Sequence, residues 1–163
     1  MKILVFSDTH GKTRFMNEVL KTARCDLVLH LGDCTADCDE LRILRRDIAV
    51  YQVAGNNLYD SLSGIQKEYF FKVENKGIYM AHGHHHNVYR GFERICSAAR
   101  RYGADLALFG HTHIAATGES EDVLFMNPGS ASFPRDASPP SYGEINIEGG
   151  NITCRVVYQN DIE

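Results

Sequence analysis

The sequence predicts an α/β layered domain with parallel strands, and three observations carry that prediction. Continuous apolar runs of four to six residues recur along the first two thirds of the chain, the pattern of strands covered on both faces. Amphipathic stretches at helical spacing separate several of them. The resulting strand–helix–strand rhythm calls for right-handed crossovers between parallel neighbours.

Ile3 to Phe6 is the first strand, and after Ser7-Asp8-Thr9-His10-Gly11 a helix is expected with Phe15, Met16, Val19, Leu20 and Ala23 on one stripe. Leu27 to Leu31 is the second strand, ending at Gly32-Asp33. Asp37 to Arg46 reads as a short helix, and the helix dipole favours Asp37, Asp39 and Glu40 in its first turn. Ile48 to Val53 is a third strand, ending at Ala54-Gly55-Asn56. Residues 57–67 read as a loop. Glu68 to Val73 and Ile78 to Ala81 then pair through Asn75-Lys76-Gly77.

Val88 to Arg101 is the next amphipathic helix, with Val88, Phe92, Ile95, Cys96 and Ala99 at helical spacing, and Leu106 to Phe109 is the strand that follows it. The C-terminal third alternates instead. Ile145 and Ile147, then Ile152, Cys154, Val156 and Tyr158, flank Gly149-Gly150-Asn151 as a hairpin. Three of the four prolines lie at 134, 139 and 140, in a surface loop. No repeat or linker interrupts the pattern, so one domain over residues 1–163 is expected.

Composition narrows the function. The chain has 163 residues, 44% apolar and 23% charged, the mix of a globular rather than a disordered protein. A net charge of −4 gives no electrostatic case for nucleic acid as a partner. The N-terminal apolar run is too short for a signal peptide, and no stretch reaches the roughly 20 apolar residues of a membrane span. A cytoplasmic protein without a membrane partner is expected. Five cysteines, at 25, 34, 38, 96 and 154, match no common disulfide or zinc framework and read as reduced thiols.

The chemistry is concentrated where strands end. Five apolar runs are each followed by ligand-type side chains: Asp8 and His10, Asp33, Asn56, His82, and His111 with His113. Singly, each has an ordinary explanation as a turn residue or a satisfied histidine. In open α/β sheets, however, ligands bind beyond the carboxyl ends of the strands, so seven scattered groups would converge on one crevice. Imidazole and carboxylate suit first-row divalent metals. Seven groups are too many for one ion but suit two that share a carboxylate, and Asp33 is the natural bridge. In an extended segment residues i and i+2 point the same way, so His111 and His113 would both face the crevice.

The ordered set Asp8-Thr9-His10, Gly32-Asp33, Gly55-Asn56, His82-Gly83-His84 and Gly110-His111-Thr112-His113 resembles that of the calcineurin-like metallophosphoesterases. Asn127-Pro128-Gly129-Ser130 resembles the small prokaryotic phosphodiesterase branch of that family. The resemblance implies a four-layer αββα sandwich, two mixed sheets flanked by helices, with a dimetal site at the sheet edge. It implies that Asp8, His10, Asp33 and His113 hold one ion, and that Asp33, Asn56, His82 and His111 hold the other. Mn2+ is the ion it favours, with Ni2+, Fe2+, Zn2+ and Mg2+ as alternatives. The implied reaction is hydrolysis of a small phosphoester substrate, by a phosphodiesterase first and a phosphatase second, through a hydroxide bridging two ions. Asp33 and Asn56 would be catalytic, and His84 would contact phosphate or support the ligands. Self-association into a homo-oligomer is left open.

Two departures from the family pattern stand out. Many members follow the Gly-Asn pair with a histidine that assists the leaving group, whereas position 57 here is Asn57, a poor proton donor. That favours leaving groups needing little protonation, such as those of aryl phosphodiesters. The acid of the branch's Gly-Asn-x-Asp pattern is displaced by two positions, to Asp60, and gains no role from the sequence. His85 and His86 read as solvated loop histidines, and Arg135 and Asp136 as candidate borders of the substrate pocket. A catalytically weak or inactive protein-binding scaffold is the alternative, because the same fold serves a retromer subunit. The complete ligand set favours the enzyme.

Overall fold

The first of two five-stranded mixed sheets is built around the N-terminal strand. In the computed structural model, which describes residues 1–162, the ordered elements are β1 (Lys2–Phe6), α1 (Arg14–Thr22), β2 (Leu27–His30), α2 (Asp37–Leu44), β3 (Ala49–Gln52), α3 (Leu58–Leu62) and β4 (Glu68–Val73). They continue as β5 (Lys76–Ala81), α4 (Glu93–Arg101), β6 (Leu106–Leu108), β7 (Ala115–Ser120), β8 (Val123–Pro128), β9 (Ser141–Glu148) and β10 (Asn151–Tyr158). The first sheet runs β10-β9-β1-β2-β3 and the second β4-β5-β6-β8-β7. Strands β1, β2 and β3 are parallel, as are β5, β6 and β8, while the outer pairs are antiparallel.

Alternation along each strand divides the apolar side chains among three cores. Ile3, Val5, Leu27 and Leu29 face Ile78, Met80, Leu106 and Leu108 between the sheets. Leu4, Phe6 and Val28 point the other way, onto Phe15, Met16, Val19 and Leu20 of α1 and Leu41 of α2. Tyr79 and Ala107 meet Ile95, Cys96 and Ala99 of α4 on the far side. The order is therefore helix, sheet, sheet, helix, the αββα sandwich that the resemblance implies. Among the described residues, no helix is long and apolar enough to cross a membrane.

Three local expectations need correction. Within residues 57–67 the chain forms α3, because the Asn57 side chain accepts the Asp60 backbone N–H at 2.8 Å and caps the turn. The helix expected from Val88 begins only at Glu93, since Gly91 adopts φ +147° and breaks the backbone before it. Between the His111-containing loop and the proline loop lies a hairpin, β7–β8; the apolar run Val123 to Met126 marks its second strand, and no such pattern marks its first. Its first strand, Ala-Ala-Thr-Gly-Glu-Ser, is at the sheet edge and carries no buried residue.

Candidate metal centre

Each ligand-type residue lies just past the carboxyl end of a parallel strand. Asp8 and His10 follow β1, Asp33 follows β2, Asn56 follows β3, His82 follows β5, and His111 and His113 follow β6. Backbone bonds tie these ends together: Asp8 N–H donates to the Gly32 carbonyl at 3.0 Å, and His10 N–H to the Asp33 carbonyl at 3.1 Å. Gly110 N–H donates to the His82 carbonyl at 3.0 Å.

One group is Asp8, His10, Asp33 and His113, whose donor atoms all lie within 4.8 Å of one another. His113 Nε2 is 3.3 Å from Asp8 Oδ1 and 3.3 Å from His10 Nε2, and His10 Nε2 is 3.6 Å from Asp33 Oδ2. Donors bonded to one ion at about 2.0–2.2 Å stand about 3.0–3.5 Å apart, so these spacings suit a shared cation. His113 Nδ1–H donates to the Phe133 carbonyl at 2.6 Å, which leaves the lone pair of the neutral ring on Nε2. Asp8 Oδ1 is buried and has no hydrogen-bond partner among the described residues. An orphaned carboxylate oxygen is costly, and a cation there would satisfy it.

A second group adjoins the first through Asp33. His82 Nε2 lies 2.9 Å from Asn56 Oδ1 and 3.5 Å from Asp33 Oδ2. His82 Nδ1–H is committed to the Leu31 carbonyl at 2.7 Å, the same tautomer device as in His113. The His111 ring stands edge-on to His82, with centroids 5.1 Å apart. His84 is beside both, at 5.4 Å from His82 and 5.9 Å from His111. All eight sequence-selected residues are thus brought to one crevice.

The reason for the His111–His113 arrangement differs from the extended segment expected. Both residues have left-handed backbone, at φ 68° and 62°, as do Asp8, His10 and Asp33 at 55°, 48° and 56°. Five of the seven ligand-type residues therefore occupy a conformation that L residues rarely adopt. Such strain costs on the order of 1–3 kcal/mol per residue and persists only where the surroundings enforce it. Glycines admit the close approach: a Cβ on Gly55 would overlap Asp33, and one on Gly110 would overlap Ser7.

The enforcing groups are buried and polar, and sequence reasoning missed the foremost. Asp60 is 1% exposed and accepts the backbone N–H groups of Asp33 at 2.9 Å, Thr35 at 2.9 Å and Gly55 at 2.7 Å, with the Thr35 hydroxyl at 3.0 Å. One carboxylate so binds the loop carrying Asp33 to the loop carrying Asn56. Asn57 closes the same junction, donating Nδ2–H to Asp33 Oδ1 at 3.3 Å while its Oδ1 caps α3. Asn127 donates to the Gly110 carbonyl and the Thr112 hydroxyl, both at 2.9 Å, and Ser130 donates to the Asp8 carbonyl at 2.8 Å. The only hint of Asp60 in the sequence was an acid near the Gly55-Asn56 pair.

Electrostatics set the protonation states. Burial tends to raise Asp33, but hydrogen bonding from His82 and from the Asn56 and Asn57 backbone outweighs it and holds this carboxyl well below the usual range. Burial dominates at Asp8 and raises it despite His82 and His113. His111 and His84 are held down to about 4, first by burial and then by neighbouring histidines. His86 is not solvated as expected: its side chain is 11% exposed, and Nε2 sits 3.2 Å from the Tyr79 hydroxyl. His85 is exposed, its ring tilted at 41° against His84 with centroids 4.0 Å apart.

Comparison with known proteins gives the family and the fold. The model of the calcineurin-like phosphoesterase superfamily domain matches residues 1–150. The probable metallophosphoesterase YsnB of Bacillus subtilis is 30% identical, over 100% of this chain and 95% of its own length. The phosphodiesterase YfcE of Escherichia coli is 28% identical over 89 residues, 55% of this chain and 42% of that protein. Wild-type Vps29 of Entamoeba histolytica, in complex with Zn2+, superposes with a TM-score of 0.71 at 25% identity, over 96% of this chain and 98% of that one.

Proposed function

The chain belongs to the calcineurin-like phosphoesterase superfamily, and on that footing we propose that it is a dimetal phosphodiesterase. Asp8, His10, Asp33 and His113 hold one divalent ion in this reading, and Asp33, Asn56, His82 and His111 the other. The observation that carries it is a set of carboxylate, amide and imidazole ligand atoms 2.9–3.6 Å apart, the spacing of groups that would share a cation. Mn2+ is the expected ion. Two such ions supply Lewis-acid polarisation of a phosphoryl oxygen and a bound water of lowered pKa.

The chain's own residues do the rest. Asp33, deprotonated well into acid, offers an oxygen to both sides of the centre. The Leu31 and Phe133 carbonyls keep His82 and His113 in the ligating tautomer. Asn56 contributes an uncharged oxygen, so it leaves the centre's attraction for a phosphoryl group undiminished. His84 lies at the rim as a neutral contact for the phosphate. No imidazole occupies position 57, and both ends of the Asn57 amide are engaged. Leaving groups that depart without protonation, as in aryl phosphodiesters, are therefore the expected substrates. The free thiols suit a reducing compartment, and a cytoplasmic location is part of this reading.

The test pairs elemental analysis of the purified protein with a Mn2+-dependent assay against aryl phosphodiesters and phosphomonoesters. Two ions per chain and diester turnover are expected. The likeness to Vps29 favours a second reading, a scaffold whose metal site is vestigial. Full metal occupancy with no turnover on any phosphoester would select it.

A further inference from the structure

Arg135 is tied to the His111-bearing loop and takes no part in the ligand set. We propose that Arg135 is a substrate-binding residue that clamps a non-bridging phosphoryl oxygen at the His111 side of the centre, with Tyr89 as its positioning residue. The inference deepens the phosphoesterase reading and rests on it for the identity of the anion.

Arg135 is tethered at both ends to the ligand-bearing loop. Its backbone N–H donates to the His113 carbonyl at 3.4 Å. Its guanidinium donates through Nη1 to the Tyr89 hydroxyl, which donates in turn to the His111 carbonyl at 3.1 Å. The Tyr89 ring stands edge-on to the His111 imidazole, with centroids 5.0 Å apart. A relay of two side chains therefore fixes the guanidinium within one residue's reach of the centre.

Nothing in the fold consumes that charge. Among the described residues no carboxylate pairs with Arg135; its neighbour Asp136 instead accepts from the Ser138 backbone N–H at 3.1 Å and from the Ser138 hydroxyl. Tyr89 is 54% exposed, so the pair adds little to the core. An exposed arginine normally gives up substantial rotamer freedom to be held still. Here the cost is borne by a chain of bonds that leaves most of the planar fork free, the part suited to phosphoryl oxygens.

The test measures inorganic phosphate binding to the Mn2+-loaded protein by calorimetry, with metal content determined for each variant. Arg135→Ala should weaken phosphate binding about 10- to 100-fold at unchanged metal content. Arg135→Lys should recover part of the loss, and Tyr89→Phe should show an intermediate loss. In turnover, KM for an aryl phosphodiester should rise more than kcat falls. Unchanged phosphate affinity in Arg135→Ala would overturn the proposal. So would loss of metal in that variant, or no phosphate binding by the wild type. A wild type that binds phosphate through Arg135 yet turns over no phosphoester would leave the clamp standing and remove the enzyme reading.

Discussion

His82 Nε2 faces Asn56 Oδ1 at 2.9 Å while His82 Nδ1–H is spent on the Leu31 carbonyl. The neutral ring thus aims a lone pair at a lone pair. A proton or a cation between the two atoms makes the contact favourable. Without metal, burial works against a proton there, but Asp33 and Asp8 outweigh it and raise the ring's pKa above its usual value. In the proposed dimetal reading, a divalent ion held by His82 and Asn56 would take the place of that proton.

Removing the amide should therefore empty one side of the centre only. Asn56→Ala is expected to reduce bound Mn2+ from two ions per chain to one, because the Asp8, His10 and His113 group is untouched. Elemental analysis after gel filtration measures this. Two ions retained would dissociate Asn56 from the centre.

Asp33 is the oxygen source for both groups, so its loss should be total. Asp33→Ala is expected to abolish metal-dependent hydrolysis, with a fall of at least about 1,000-fold in kcat/KM from lost charge stabilisation. Activity surviving in Mn2+-saturated buffer would show that Asp33 is not the bridge.

Asp60 should act at a distance from the reaction. Its carboxylate holds the Asp33 and Gly55 backbones together, so Asp60→Asn should lower the stability of the metal-free protein by about 2–4 kcal/mol. It should also weaken Mn2+ binding by loosening Asn56 against Asp33. Urea unfolding and metal titration report the two effects separately, and an unaltered midpoint would refute the bracing role.

The pH response of stability should carry the mark of His30. This buried ring accepts the Gly32 N–H on Nδ1 and donates from Nε2 to the Thr9 hydroxyl. Burial holds its pKa down to about 4, against 6.5 ordinarily. The fold keeps the ring neutral while the unfolded chain takes up a proton, so its contribution is intact above about pH 6.5 and lost progressively toward pH 4. The difference amounts to about 3 kcal/mol. Thermal melts between pH 7 and 4.5 should shift less in His30→Gln than in wild type; parallel curves would assign the acid lability elsewhere.

The sequence made legible those parts whose physics is local or repetitive. Ile3–Phe6, Leu27–Leu31 and Leu106–Phe109 announce buried strands because both faces are covered, and their ends locate the ligands. Strand β7 is illegible because an edge strand with exposed Thr117, Gly118 and Glu119 needs no apolar pattern; β8 supplies its register. Helix α3 is illegible because its formation depends on one side-chain cap. Asp60 could be noticed but not interpreted. Its meaning lies in donors from two loops that only the folded chain brings together, and the same holds for the left-handed turns at His111 and His113.

Asn57 places a limit on how this chain can change. Asparagine and histidine codons differ by a single base, so the family's proton-donating side chain is a short mutational step away. The step is not a free one. The same amide caps α3 and touches Asp33, and an imidazole at that position would surrender both contacts as it gained a titratable proton. In the phosphodiesterase reading, position 57 therefore sets leaving-group chemistry against loop architecture. A lineage moving toward poorer leaving groups would first have to acquire another brace for the Asp33 loop.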